Sequence, residues 1–224
     1  MHTIATRADP NKRARCLLVL LPGRGDSDAV FAQHGFIDEL RARNLSVDTI
    51  SANATLGYYA KETIIVRLDA DVFEPARKAG YEQIWFAGIS MGGLGAVSMA
   101  RRHGRDIAGL ILIAPYLFED ILDEIEKAGG LDRWTPAPNL GDKDYEQLTW
   151  KWLKETTANP AAAPAIYLAS GDQDRLNRSH RLLGAALPQG HRFRVRGGHD
   201  WGPWRQLWRD FLEHSDFATR CGSR

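Results

Sequence analysis

The chain has 224 residues, a net charge of +1, and 44% hydrophobic and 25% charged residues, which suits one domain with its own core. At that length roughly 70% of the unfolded chain's surface can be buried, so no metal or disulfide staple is needed to hold a fold. Near-neutral charge gives no support for a nucleic-acid or membrane surface, and no run approaches the ~20 apolar residues of a membrane span.

The first fifteen residues carry charge but no apolar signal core, so the cytoplasm is the expected location. A strand is predicted over 16–21, opened by Cys16. The only other cysteine, Cys221, sits in a polar tail, so no structural disulfide is expected. A glycine-containing loop then leads to a helix over 30–43, a strand over 47–51 and a helix over 60–79. Next come a strand over 83–87, a helix over 91–103 and a strand over 109–114. From 116 to 164 nothing reads as a strand. That stretch holds a helix over 118–128, a turn-rich run and a second helix around 145–155. A strand over 165–170, a helix over 179–186, a strand over 192–196 and a helix over 204–211 complete the chain. The last helix has Trp204, Leu207, Trp208 and Phe211 at helical spacing.

Short, continuously apolar strands alternating with helices imply an α/β fold. We expect a doubly wound, mostly parallel sheet of about six core strands with helices on both faces. Residues 1–224 form a single domain in this reading, and 116–164 is a helical lid inserted above the carboxyl ends of the strands. Its aromatics, among them Tyr116, Trp134 and Trp150, either wall an apolar pocket or form the insertion's own small core.

The chemistry centres on Gly88-Ile89-Ser90-Met91-Gly92, between an apolar strand and a helix. A serine hydroxyl is a poor nucleophile unless it is exposed and aimed at a base. A sharp strand-to-helix turn does this, and its crowding calls for glycine on both sides. Acyl transfer also needs two donors for the developing oxyanion. One would be the Met91 N–H. The other is expected from Pro22-Gly23-Arg24-Gly25-Asp26-Ser27 after the first strand, at the Arg24 N–H. The Arg24 side chain either points to solvent, the expected case, or binds a substrate carboxylate or phosphate, and Asp26 or Ser27 is the expected cap of the helix that follows.

Of the seven histidines, only His199 sits in a glycine loop between the last strand and the last helix, where a site of this design places its base. His34, His103 and His180 lie in charged helical surroundings and are expected in solvent. The acid should follow the preceding strand, which ends in Gly171-Asp172-Gln173-Asp174. Asp174 has the expected spacing, leaving Asp172 to cap a helix or brace the loop. Asp200 is the expected cap of the last helix. No His, Cys and carboxylate cluster shows metal-ligand spacing, and the glycine turn lacks a phosphate-loop lysine. Neither metal nor organic cofactor is expected.

Together these loops resemble the α/β-hydrolase superfamily. Pro22 to Ser27 is similar to the oxyanion loop of the phospholipase/carboxylesterase group, which includes acyl-protein thioesterases and has histidine where this chain has Pro22. Gly197-Gly198-His199-Asp200-Trp201 resembles the histidine loop of esterase D and enterochelin-esterase relatives. The resemblance implies hydrolysis of a small-molecule carboxylic ester or thioester through an acyl-enzyme on Ser90. Acyl transfer to another acceptor, or dienelactone-type ring opening, would use the same triad. A non-catalytic ligand-binding protein on this scaffold would be expected to lack a triad member. The sequence carries no signal for an oligomeric state.

Overall fold

Strands that are apolar along their whole length can be stable only between two layers, and the central strands here are of that kind. In the computed structural model, which describes residues 1–222, β1 (Thr3–Thr6), β2 (Cys16–Leu21), β3 (Val47–Ala52), β4 (Gln83–Ile89), β5 (Gly109–Ile113), β6 (Ala165–Gly171) and β7 (Arg192–Val195) form one sheet. Every residue of β2 and β5 is buried. The order is β1-β3-β2-β4-β5-β6-β7, with all pairs parallel except β1 against β3.

The six expected strands are all present. The seventh, β1, was not expected. It is a four-residue edge strand whose Thr3 pairs with Ala52 and Thr6 with Thr49. With Ile4 as its one large apolar residue, it shows too little alternation to stand out.

The helices are α1 (Val30–Gln33), α2 (Phe36–Ala42), α3 (Leu56–Ala60), α4 (Ile64–Leu68), α5 (Glu74–Ala79), α6 (Met91–His103), α7 (Leu122–Lys127), α8 (Tyr145–Ala158), α9 (Asn177–Ala186), α10 (Trp201–His214) and α11 (Phe217–Cys221). The single helix expected over 60–79 is broken. Glu62 adopts φ 56° between α3 and α4, and a π-helical turn at Asp69–Phe73 joins α4 to α5. Pro75 lies in the first turn of α5. It has no N–H for the carbonyl four residues back, and its ring crowds that carbonyl, so the wider turn relieves both.

Alternation along the strands sorts the core into two layers. Leu17, Val19 and Leu21 face α4, α5, α6 and α8, while Leu18 and Leu20 face α1, α2, α10 and α11. Segment 116–164 belongs to the first layer: Leu122, Ile125, Leu131, Trp134, Trp150 and Leu153 are all buried in it. Among the described residues no helix is long and apolar enough to cross a membrane.

The cysteines correct the sequence reading. Cys16 and Cys221 form a disulfide, with Cα atoms 5.6 Å apart and 205 residues between them in sequence. The polar tail is in fact helical. Phe217 is fully buried, edge-on to Trp85 at 5.1 Å between ring centres, and this anchor carries Cys221 to the start of β2.

Candidate active site

Ser90 stands between β4 and α6 at φ 51° and ψ −114°, a conformation costly for any side chain and kept only where the surroundings enforce it. The neighbouring glycines show the enforcement. A Cβ at Gly88 would lie 2.2 Å from the Gly92 oxygen, and one at Gly92 2.1 Å from the Leu21 oxygen. Any other residue at either position would push the turn apart. Backbone bonds fix the serine further: its N–H donates to the Ile113 carbonyl at 3.0 Å, and its carbonyl accepts from Gly93 at 2.9 Å and Tyr116 at 2.8 Å.

The loop between β7 and α10 supplies the second group. Gly197 has φ 145°, and a Cβ there would lie 2.3 Å from Pro203 Cγ. Gly171, at the end of β6, packs directly on this loop, since a Cβ on it would lie 2.2 Å from the Gly197 oxygen. Asp172 braces the same loop by accepting the Gly197 N–H at 3.0 Å. The result is that His199 Nε2 lies 3.0 Å from Ser90 Oγ, and Nδ1 lies 3.0 and 2.9 Å from the two Asp174 oxygens. The Trp204 ring meets the His199 ring edge to face, with centres 5.0 Å apart. Asp200 caps α10, accepting the Gly202 N–H at 3.0 Å.

Asp174 is 4% exposed. Burial alone would raise its pKa, but the hydrogen bond from His199 and the Leu176 N–H, together with the nearby His199 and His180, hold it below the usual carboxylate value. It therefore stays ionised at neutral pH and favours the tautomer with the proton on Nδ1. That leaves Nε2 free to accept the serine proton.

Gly23 packs against Ser90, a Cβ on it falling 3.6 Å from Ser90 Cβ. A turn from the Gly23 carbonyl to the Asp26 N–H (3.2 Å) leaves the Arg24 side chain exposed. Met91 occupies the first position of α6, where a backbone N–H has no acceptor within the helix. Ser27 accepts the Ala29 N–H at 3.3 Å just before α1.

The insertion's aromatics divide. Tyr116 is half-buried beside Phe118, 5.5 Å between ring centres, and its N–H holds the nucleophile's carbonyl. Trp134 and Trp150, at 1% and 0% exposure, are core residues rather than pocket walls. The Trp134 indole N–H donates to Glu124 at 2.8 Å. Their wide apolar faces are covered by α6 and its neighbours, so they offer no surface to a ligand.

Two of the histidines expected in solvent are also placed differently. His103 pairs with Asp69, and His180 is buried with Nε2 3.0 Å from the Pro115 carbonyl oxygen. Their helices look charged, but 3.6-residue periodicity put both on inward faces.

Compared by sequence, the chain matches no family model and no curated protein. Compared by structure, it is similar to the S-formylglutathione hydrolase FrmB from Staphylococcus aureus, with TM-score 0.62 and 17% identity over 90% of this chain and 81% of that one. It is also similar to Est1E from Butyrivibrio proteoclasticus (TM-score 0.62, 17% identity, 94% and 92% covered). A third likeness is to a monoacylglycerol lipase from Paleococcus ferrophilus (TM-score 0.57, 17% identity, 96% and 100% covered). At these identities the likeness is one of fold, the α/β-hydrolase fold that the strand and helix order implies.

Proposed function

We propose that this protein is a serine hydrolase that cleaves a small-molecule carboxylic ester or thioester through an acyl-enzyme on Ser90. The observation that carries the reading is the unbroken chain from Asp174 through His199 to Ser90 Oγ, with each link at 2.9–3.0 Å. In the first half-reaction Ser90 Oγ attacks the carbonyl carbon while His199 Nε2 takes its proton. The Arg24 and Met91 N–H groups hold the oxyanion. His199 then gives that proton to the departing alkoxide or thiolate. In the second half-reaction His199 takes a proton from water, the hydroxide adds to the acyl carbonyl, and His199 returns the proton to Ser90 Oγ as the carboxylic acid leaves.

The structural neighbours named as a hydrolase and a lipase support this reading through shared fold. Segment 116–164 is assigned as a cap over the strands' carboxyl ends, with Tyr116 as its contribution to the substrate wall. The Cys16–Cys221 disulfide turns the expected location away from the cytoplasm and toward an oxidising compartment.

The test is labelling by a fluorophosphonate probe and hydrolysis of p-nitrophenyl esters of increasing chain length. Ser90→Ala should abolish labelling and lower kcat about a millionfold. Turnover that survives the substitution would place the activity elsewhere.

A further inference from the structure

His180 lies in the first half of α9 and is 2% exposed. A buried imidazole is costly unless its nitrogens find partners, and only one of these does. Nε2 lies 3.0 Å from the carbonyl oxygen of Pro115, so it carries the proton and donates. Nδ1 is buried without a partner among the described residues. Burial lowers the pKa of the ring, outweighing the Pro115 hydrogen bond and the Asp174 charge, with His199 adding to the lowering. The ring is therefore neutral at neutral pH.

What the Nε2 proton holds gives the residue its meaning. Pro115 follows Ala114, a non-glycine residue at φ 46°, so β5 ends in a backbone turn that needs outside support. The Ala114 N–H donates to the Ala169 carbonyl, and the Tyr116 N–H to the Ser90 carbonyl, both at 2.8 Å. On the other side of His180, its own N–H donates to the Leu176 carbonyl at 3.3 Å. The Leu176 N–H in turn donates to Asp174 Oδ1 at 2.8 Å. The path runs from the Ser90 carbonyl through Tyr116, Pro115, His180 and Leu176 to the Asp174 carboxylate. Asp174, His199 and Ser90 close the same ring from the front.

We propose that His180 is a positioning residue of the site, tying the turn behind the nucleophile to the segment that carries the acid. The role rests on the hydrolase reading for its effect on rate, but the ring of bonds exists whether or not an ester is turned over. A triad spread over three strands needs its members held within a fraction of an ångström, and a misplacement of about 1 Å can lower the rate about 100-fold.

The test compares His180→Leu, which fills most of the space without a donor, with His180→Gln, whose amide can donate where Nε2 does. With p-nitrophenyl esters and active sites counted by fluorophosphonate, kcat of H180L should fall about 30- to 100-fold with KM within about threefold. H180Q should restore most of that loss. If H180L does not fold, His180→Asn takes its place, since it is polar but too short to reach Pro115, and it should lose as much. The downfield proton between His199 and Asp174, read by NMR without substrate, should shift in H180L and hold its place in H180Q. A wild type that turns over no ester overturns the hydrolase reading alone, and the resonance then decides the positioning role. An unmoved resonance with kcat within threefold in H180L overturns the proposal, as does an H180Q that loses as much as H180L.

Discussion

The turn at 88–92 carries Ser90 and segment 116–164 meets it through the Tyr116 N–H, but the two are specified in different ways. In the turn, identity follows from crowding by backbone: an added Cβ at Gly88 would lie 2.2 Å from the Gly92 oxygen, and one at Gly92 2.1 Å from the Leu21 oxygen of β2. In the segment, identity follows from whatever lies beneath it. Trp134 and Trp150 could have walled a pocket by composition alone, and instead they complete the apolar layer over α6. A crowded turn declares itself by paired glycines and can be read from a motif. A covering segment is a packing problem, and aromatic content does not reveal which face is covered.

The strongest way to sharpen the comparison is at the acid. Asp174→Asn should lower kcat about 10⁴-fold with little change in KM, because the amide no longer fixes the His199 tautomer. Asp172→Asn should cost about tenfold or less, since its side-chain oxygen can still accept the Gly197 N–H. Steady-state kinetics on the two variants decide between them, and equal losses would undo the division of labour between the two aspartates.

On the other side of the comparison, Trp150→Ala should destabilise the fold by about 3–5 kcal/mol in urea unfolding. Its kcat and KM per folded molecule should stay near wild type across ester chain lengths. A selective rise in KM at unchanged stability would return Trp150 to the pocket wall.

The same distinction explains what the sequence could and could not disclose. The six longer strands, the turn at Ser90 and the loops that bring Asp174 and His199 to it were legible because each shows a local pattern: an apolar run, paired glycines, a glycine loop after a strand. Ile4 alone could not announce β1. A proline and a left-handed Glu62 split what periodicity reads as one helix over 60–79. His180 sits among Arg178, Arg181 and Ser179, and only the tertiary fold turns it inward toward Pro115. Cys221 lies in a polar tail, and its partner is 205 residues away, so no local signal could join them.

That disulfide offers a milder test. On chain-entropy grounds a crosslink of such span stabilises the fold by about 2–5 kcal/mol, and Cys16→Ser with Cys221→Ser should lower the midpoint of unfolding accordingly. The bond lies at the amino end of β2, whereas Ser90, Asp174 and His199 lie beyond the carboxyl ends of their strands. Activity of the folded double variant should therefore match wild type. A loss of kcat in the folded variant would mean that α11 supports the site as well as the fold.

The smallest expected effect is on the pH dependence of stability. Histidine in an unfolded chain titrates near 6.5, while burial holds His180 below that value. Between the two values the unfolded state binds the proton that the folded state excludes, so His180 favours folding fully above pH 6.5 and less as pH falls toward its lowered value. The titratable groups that face it are Asp174 and His199. Asp174 repeats the pattern further down, since its own lowered value favours folding above the usual carboxylate range and loses that contribution only at more acid pH. Urea unfolding at intervals from pH 8 to 5 should thus show wild type losing stability where H180Q is flatter, with the two curves running parallel below. Identical slopes across that window would mean that His180 accepts a proton in the folded protein as readily as in the unfolded chain.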